Sequence, residues 1–210
     1  MRLALFGGTF DPIHSGHIQA GLAAASEHSL DRILVIPCGH PPHKPESCGA
    51  SYEQRYKMVQ LACEADSRLE ASRLEEPVLG NEPNYTIDTI RRVQSTLEFD
   101  QPLRFIIGID AFAEIDHWRR AAEVRAAVEF LVVGRPDSAA DVSANAGTCN
   151  AKHVDCAHPA SSQEIRHRAK IGGTLADLAP PSVCAFVWEH GLYRHWRARK
   201  GTLLRTTIGA

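Results

Sequence analysis

A segment near the amino terminus, GGTFDPIHSGH (residues 7–17), carries the residue types best suited to binding an anion. Adjacent glycines let the backbone approach a phosphate closely because they have no Cβ. His14 and His17 are three residues apart, so at a helix start they share one face and can donate hydrogen bonds to the same anion. The Asp11-Pro12 pair restricts the turn between the glycines and the histidines. This order of residue types predicts a phosphate site.

The elements around this segment are of the kind that would position it. An apolar run at residues 3–6 stops at the glycines, and an Ala-rich segment at residues 18–27 follows with helical spacing. This pattern predicts a strand, a glycine loop and a helix, and a helix amino terminus offers unpaired N–H groups and partial positive charge to an anion. An isolated histidine pair at this spacing would more simply be a solvated helix face, but the strand and the glycines before it favour a binding site.

Other apolar runs predict the rest of the fold. Residues 33–36, 103–109 and 130–133 are short and bounded by Gly or Pro, which is typical of buried strands. Helical spacing predicts helices at residues 52–64, 86–97, 119–127, 162–170 and 182–189. Apolar strands that alternate with helices form parallel sheets covered on both faces. We therefore predict an α/β fold, a single doubly wound, Rossmann-like parallel sheet flanked by helices.

Composition excludes several classes of protein. The chain has 210 residues, 44% hydrophobic and 23% charged, and its net charge of −2 gives no general attraction to nucleic acid or acidic lipid. Apolar runs are too short for a membrane span or a signal peptide, so we expect a cytoplasmic protein. The six cysteines lack the paired short spacing of zinc or thioredoxin motifs, which favours reduced thiols over a structural zinc site.

Three segments lack a periodic pattern. Residues 37–50 hold four prolines and two histidines and are expected to form a long loop at the carboxyl end of the second strand, where ligand sites form. Residues 137–150 are small and polar, which indicates a surface excursion without an evident role. The tail at residues 194–210 has no acid and contains the cations Arg194, Arg197, Arg199, Lys200 and Arg205. We expect it to be dispensable for catalysis, although it would permit a nucleic-acid contact.

The histidine pair places the chain near a known family. His14-Ser15-Gly16-His17 resembles the nucleotidyltransferase superfamily signature, whose histidines contact the phosphates of a nucleoside triphosphate. The chain has neither a GxGxxG nor a Walker motif, which disfavours Rossmann dehydrogenases and P-loop kinases. Three further segments resemble nicotinate-mononucleotide adenylyltransferases: HPPHK (40–44), YTIDT (85–89) and IGIDAFAEIDHW (107–118).

The end of the chain extends this resemblance. SSQEIR (161–166) is similar to the family's SSTxIR, with Gln163 in place of the threonine. Residues 182–193 are similar to the last helix of the family and to the Leu-Tyr pair that follows it. Because the motifs are separated yet collinear, the resemblance covers residues 1–193, which we take as one nucleotidyltransferase domain. The change at Gln163 puts the fine geometry of the triphosphate site in question.

The resemblance implies an activity and a set of residues. It implies transfer of AMP from ATP to nicotinate mononucleotide, which gives nicotinate adenine dinucleotide (deamido-NAD) and pyrophosphate in NAD biosynthesis. Catalytic roles are implied for His14, His17, Lys44 and Arg166. Contacts to ATP are implied for Gly7, Gly8, Thr9, Phe10, His14, His17, His43, Lys44, Ser161, Ser162 and Arg166. Mg²⁺ is expected to bind through the ATP phosphates, with no dedicated metal ligands in the protein.

The chemistry of these residues agrees with such roles. The Lys44 ammonium, next to His43 on a proline-rich loop, could neutralise charge that develops on a triphosphate. Ser161 or Ser162 could cap a helix whose first amides face an anion, and Arg166 could make a forked contact to phosphate oxygens. A solvated loop charge and simple helix capping are the alternatives.

The acceptor is expected to contact Tyr85, Thr86, Asp110 and Trp118. Thr86 is a candidate N-cap of the helix at residues 86–97, whose amides would suit the nicotinate carboxylate. Asp110, at the end of a predicted strand, could accept hydrogen bonds from sugar hydroxyls or help to position a metal-bound phosphate. Trp118 could stack on the pyridine ring, with a core position as the alternative.

Two other functions stay open at this stage. One is a same-fold adenylyltransferase that uses nicotinamide mononucleotide or phosphopantetheine. The other is a catalytically silent nucleotide-binding protein or an RNA-binding protein that uses the basic tail. The intact histidine pair and Lys44 argue against a silent protein, and the near-neutral charge disfavours nucleic acid. The oligomeric state is open, and a homo-oligomer is among the options.

Overall fold

The computed structural model describes residues 1–40, 49–77, 83–97, 99, 102–135, 142, 147 and 149–195. Within them lie six strands: β1 (Leu3–Gly8), β2 (Arg32–Pro37), β3 (Leu69–Ala71), β4 (Arg104–Gly108), β5 (Glu129–Gly134) and β6 (Ala151–Asp155). They form one sheet in the order β3-β2-β1-β4-β5-β6, and all neighbouring strands are parallel.

Helices connect the strands and cover both faces of the sheet. They are α1 (Ser15–Glu27), α2 (Tyr52–Cys63), α3 (Thr86–Thr96), α4 (Ile109–Ala113), α5 (Ala121–Ala127), α6 (Ser162–Ile171) and α7 (Pro181–Glu189), with a 3₁₀ turn at Ile115–His117. None of the described helices is both long and apolar enough to cross a membrane.

Two apolar layers hold the helices to the sheet. Side chains of a strand alternate between its faces, so Ala4 and Phe6 pack in one layer while Leu3 and Leu5 pack in the other. The first layer also holds buried residues of α1, α2, α6 and α7, and the second holds those of α3, α4 and α5. The predicted doubly wound α/β fold is confirmed.

The strand order places a ligand crevice at one point of the sheet. The order changes direction between β1 and β4, and open α/β sheets bind ligands outside the carboxyl ends of the strands at such a switch point. The loop with the histidine pair leaves β1 there, and the segment from Ile109 to Trp118 leaves β4 there. The two strongest motifs of the sequence therefore lie at the same edge.

Several boundaries differ from the sequence-based predictions. Strands β3 and β6 were not predicted, because each buries a single side chain, Leu69 in β3 and Val154 in β6, and so lacks an apolar run. The strand predicted to extend to Ile109 ends at Gly108, so Asp110 lies on α4 and not at the strand end. Helix α5 begins later than predicted because Arg120 is left-handed, with φ of 58°.

Some predictions concern parts of the chain outside the described residues. His43 and Lys44 lie outside them, as do most of the excursion at residues 137–150 and the tail beyond His195. The five described cysteines form no disulfide.

Candidate functional site

The two histidines of the glycine loop cap helix α1 with each other. His14 is the N-cap in an extended conformation, and its Nδ1 accepts from the His17 backbone N–H at 3.4 Å. The His17 Nδ1 accepts in turn from the His14 N–H at 3.2 Å. Their rings stack with centroids 3.6 Å apart and planes inclined by 28°. This reciprocal capping box fixes both rings at the amino terminus of the helix.

The capping bonds decide which hydrogen bonds the imidazoles can offer. A neutral imidazole that accepts at Nδ1 carries its proton on Nε2. Burial, together with a smaller effect of the nearby His158, lowers the pKa of His14 to about 4. Burial also places the pKa of His17 well below its usual value, with a smaller contribution from His14. Both rings are therefore neutral at pH 7, and each presents an Nε2–H donor at a helix end that already favours anions.

The loop residues before the histidines support His17. Phe10 is buried and left-handed, with φ of 47°, and its ring meets the His17 ring edge-on with centroids 5.0 Å apart. A Cβ on Gly8 would lie 3.0 Å from the Phe10 ring, so a larger residue would displace that ring. A Cβ on Gly7 would meet nothing closer than 3.5 Å. The structure thus requires the absence of a side chain at Gly8 but not at Gly7.

A third imidazole lies beside the pair. A Cβ built on Gly16 would lie 3.1 Å from the His14 Nδ1 and 3.3 Å from the His158 Cβ, so these side chains close over the glycine. The His158 Nδ1 accepts from the Ala160 N–H at 3.0 Å. His158 belongs to no motif, and no feature of the sequence pointed to its place beside His14.

Helix α6 is tied to the same loop. Ser161 is its N-cap and accepts from the Glu164 N–H at 3.1 Å, which identifies the capping serine of the two predicted. The Ser162 hydroxyl donates to the Pro12 carbonyl at 2.8 Å, and Arg166 Nη1 donates to the Asp11 carbonyl at 2.5 Å. The amino termini of α1 and α6 are therefore held to one loop, as a shared anion site requires.

The start of helix α3 differs by one residue from its prediction. Tyr85 is the N-cap, in an extended conformation, and Thr86 is the first helical residue. The preceding Asn84 explains the shift, because its side-chain oxygen accepts from the His40 N–H at 2.7 Å and its own N–H donates to the His40 carbonyl at 3.1 Å. This pairing keeps the chain extended through Tyr85. The prediction of Thr86 as N-cap is therefore wrong.

The other predicted acceptor residues are Tyr85 at this helix start and Asp110 and Trp118 in the segment after β4. Trp118 is half-buried, and its indole meets the Phe105 ring edge-on at 6.2 Å. Tyr85 is half-buried beneath the guanidinium of Arg119, whose Cζ lies 4.4 Å from the ring centroid. Arg119, in the segment after β4, therefore contacts Tyr85 at the start of α3. Asp110 is exposed on α4.

Comparison with known proteins places the chain in a family. The cytidylyltransferase-like family model matches residues 5–168. A curated nicotinate-nucleotide adenylyltransferase from Solibacter usitatus is 46% identical over 193 residues, which cover 92% of this chain and 100% of that protein. The chain belongs to the nicotinate-nucleotide adenylyltransferase family. A curated family member from Thermus thermophilus is 36% identical and covers the same shares of the two chains.

Solved structures agree with this fold. The Plasmodium falciparum nicotinic acid mononucleotide adenylyltransferase complexed with NaAD has a TM-score of 0.74 at 18% identity, covering 93% of this chain and 98% of that one. A Vibrio parahaemolyticus structure of the same family has a TM-score of 0.62 at 21% identity, covering 92% and 96%. The adenylyltransferase fold therefore extends over nearly the whole chain.

This family member also holds its loops with a buried cation that sequence patterns did not reveal. Arg55 is 2% exposed within the apolar face of α2. Its Nη1 donates to the Thr9 carbonyl at 2.7 Å, and its Nη2 lies 3.5 Å from the Gly39 carbonyl. Arg55 thereby joins the segments that follow β1 and β2 at the ligand edge of the sheet.

A buried carboxyl group lies against helix α3. Glu75 accepts from the Thr89 hydroxyl at 2.7 Å, which ties helix α3 to the segment after β3. Burial raises the pKa of Glu75 above its usual value. The sequence signal for this contact was limited to the threonine at the end of YTIDT.

Proposed function

We propose that this protein transfers AMP from ATP to nicotinate mononucleotide, releasing pyrophosphate and forming nicotinate adenine dinucleotide in NAD biosynthesis. The observation that carries the proposal is the neutral His14–His17 pair, stacked at the amino terminus of α1 beside the capped start of α6. Family membership over 92% of the chain supports the choice of reaction.

The reaction in this proposal requires no protein nucleophile. An oxygen of the acceptor's phosphate attacks the α-phosphorus of ATP in line, the bond from that phosphorus to the bridging oxygen breaks, and pyrophosphate leaves. Catalysis then rests on positioning the two substrates and on stabilising the negative charge that shifts to the leaving group. Neutral Nε2–H donors at a helix amino terminus supply such stabilisation without a proton transfer.

Each residue has a role in this proposal. His14 and His17 donate to the triphosphate, and Ser161, Ser162 and Arg166 bring α6 to the same anion. Arg166 donates from Nη1 to the Asp11 carbonyl, which places a guanidinium, a group whose planar shape matches phosphate oxygens, beside this loop. Lys44 and His43, with Gly7, Gly8, Thr9 and Phe10, complete the proposed ATP site.

We also infer that Mg²⁺ accompanies ATP. Among the described residues no group of three His, Cys, Asp or Glu side chains could hold a metal ion. Asp110, an exposed carboxylate on α4 at the carboxyl edge of the sheet, is an oxygen ligand of the type that Mg²⁺ accepts beside phosphate oxygens and waters. Bound Mg²⁺ would neutralise phosphate charge in the triphosphate.

The acceptor lies on the other side of the switch point in this proposal. The first amides of α3, at and after Thr86, suit the nicotinate carboxylate, and the rings of Tyr85 and Trp118 suit the pyridine. A neutral carboxamide would pair less well with these donors, a loss of roughly 1–3 kcal/mol.

An acceptor panel tests the proposed function. The purified protein is incubated with Mg²⁺, ATP and one of nicotinate mononucleotide, nicotinamide mononucleotide or phosphopantetheine, and products are identified by mass spectrometry. We expect nicotinate mononucleotide to exceed nicotinamide mononucleotide in kcat/KM by at least about tenfold. Equal use of the two, or a preference for the amide or for phosphopantetheine, would contradict the assignment.

A further inference from the structure

Arg119 is an exposed residue beside the proposed acceptor site that no motif includes. It follows Trp118, and its guanidinium Cζ lies 4.4 Å from the centroid of the Tyr85 ring. Tyr85 is the N-cap of α3, so this stacking holds a permanent positive charge next to the amino terminus of that helix.

Ion pairing with surface carboxylates does not explain the position of the Arg119 guanidinium. Among the described residues no carboxylate forms an ion pair with Arg119, whereas three nearby arginines each have such a partner. They are Arg91 with Glu123 at 2.6 Å, Arg120 with Glu123 at 2.5 Å and Arg125 with Asp116 at 2.9 Å. The helix macrodipole also repels a cation at the amino terminus of a helix, because that end carries partial positive charge. The arrangement therefore offers positive charge that the described protein does not compensate.

Two further acids, one near Tyr85 in the sequence and one near Arg119, are also engaged. Asp88, in the first turn of α3, lies 4.0 Å from the Arg91 guanidinium, and Glu114 lies 3.3 Å from the His117 ring. Stacking on Tyr85 uses only the face of the guanidinium, so the N–H groups along its edge stay available to a planar anion. A carboxylate matches that edge with two parallel hydrogen bonds.

We propose that Arg119 binds the carboxylate on the pyridine ring of the acceptor and is a residue that selects nicotinate over nicotinamide. This inference rests on the proposed function. A guanidinium has donors and no acceptor, so the NH₂ group of a carboxamide finds no partner on it. A carboxylate instead receives two charge-assisted hydrogen bonds while the adjacent helix terminus adds its own amides.

Two substitutions and a matched control test this role. R119M keeps an unbranched side chain without charge, and R119K keeps the charge without the planar fork. R91M removes a guanidinium from the exposed face of α3, where it is paired with Glu123. The kcat/KM is measured for nicotinate mononucleotide and nicotinamide mononucleotide separately, and Tm is recorded for each variant.

The expected result is a loss confined to one acceptor. R119M should lower kcat/KM for nicotinate mononucleotide by about tenfold or more and change that for nicotinamide mononucleotide by less than about threefold. R119K should lose less, and R91M should behave as the wild type with both acceptors. If R119M lowers Tm, the kcat/KM values for the two acceptors are compared in R119K and R119Q instead.

Two outcomes would overturn the inference. An equal loss with both acceptors would place the guanidinium on their shared phosphate, and an unchanged acceptor ratio would remove Arg119 from recognition. Failure of the proposed function would appear already in the wild type, as absence of nicotinate adenine dinucleotide, so the two failures are distinguishable.

Discussion

The Tyr193 hydroxyl donates to Asp11 Oδ1 at 2.9 Å, a contact between residues 182 positions apart in the chain. Both residues are buried. The Asp11 carboxylate also accepts from the backbone N–H groups of Gly49 at 2.7 Å and Ala50 at 3.1 Å. One carboxylate thus holds together the loop after β1, the segment before α2 and the last described part of the chain.

The first prediction concerns this contact. Y193F removes the hydroxyl and leaves the buried Asp11 carboxylate with one hydrogen bond fewer, so the free energy of unfolding should fall by about 1.5–3 kcal/mol. Urea denaturation measures the change. A chain that ends at Tyr193 lacks the whole basic tail, and it should match the full-length protein in denaturation midpoint and in kcat/KM. Loss of activity on this truncation would show that the domain extends beyond Tyr193.

The second prediction concerns catalysis by the imidazole pair. H17A should lower kcat by about 10²–10³ with the fold intact, since one fixed donor to the developing charge is lost. Steady-state kinetics and circular dichroism measure these two properties. H167A, which removes an exposed imidazole from α6, is the control and should stay near wild type. Activity of H17A within about threefold of wild type would exclude His17 from the mechanism.

The third prediction concerns the pH dependence of stability in the ligand-free protein. The pKa of His14 is about 4 when folded, against an ordinary value near 6.5, and the pKa of His17 is also lowered. Between these values the unfolded chain binds more protons than the folded one. The free energy of unfolding therefore falls as the pH falls from 6.5 towards 4, by up to about 1.4 kcal/mol per pH unit for each histidine.

A double variant isolates this contribution. H14Q/H17Q should lose less stability than the wild type when urea denaturation is compared at pH 7.5 and at pH 5, because the two imidazoles no longer titrate. Equal losses in the two proteins would mean that the imidazoles are protonated in the folded state at the same pH as in the unfolded state.

The fourth prediction concerns the glycine between the histidines. G16A places a methyl group 3.1 Å from the His14 Nδ1, tighter than a normal carbon contact, so the His14 ring must shift. Small displacements of catalytic groups are costly, and we expect kcat/KM to fall by about tenfold. G173A is a matched control, since its methyl group would meet nothing closer than 3.5 Å. Similar kinetics for the two variants would show that the position of His14 is not critical.

Some of this site could be predicted from the sequence because local patterns determine it. The apolar run before Gly7 and the spacing of His14 and His17 are enough to predict a strand, a loop and an anion-binding helix start. The capping of each imidazole by the other backbone amide was not predicted, because spacing does not specify which ring nitrogen is used. The sequence therefore placed the two histidines at the start of α1 but did not indicate that their Nδ1 atoms accept hydrogen bonds from the backbone.

The rest depends on contacts between distant segments. The bond from Tyr193 to Asp11 and the bonds from Arg55 to the loops exist only once the sheet has formed, and no local pattern marks them. Thr86 was displaced from the N-cap position by a pairing of Asn84 with His40, 44 residues earlier. Strand β6 is an edge strand with a single buried side chain, which leaves no apolar run to recognise.

The stereochemistry of adenylyl transfer tests the central claim most directly. The wild-type protein is given nicotinate mononucleotide and a single diastereomer of ATP that carries sulfur on the α-phosphorus, and the configuration at phosphorus in the dinucleotide product is determined. Direct in-line transfer at the His14–His17 site predicts formation of the dinucleotide with inversion at that phosphorus. Retention, which requires a covalent enzyme intermediate, or the absence of any dinucleotide product would contradict the account.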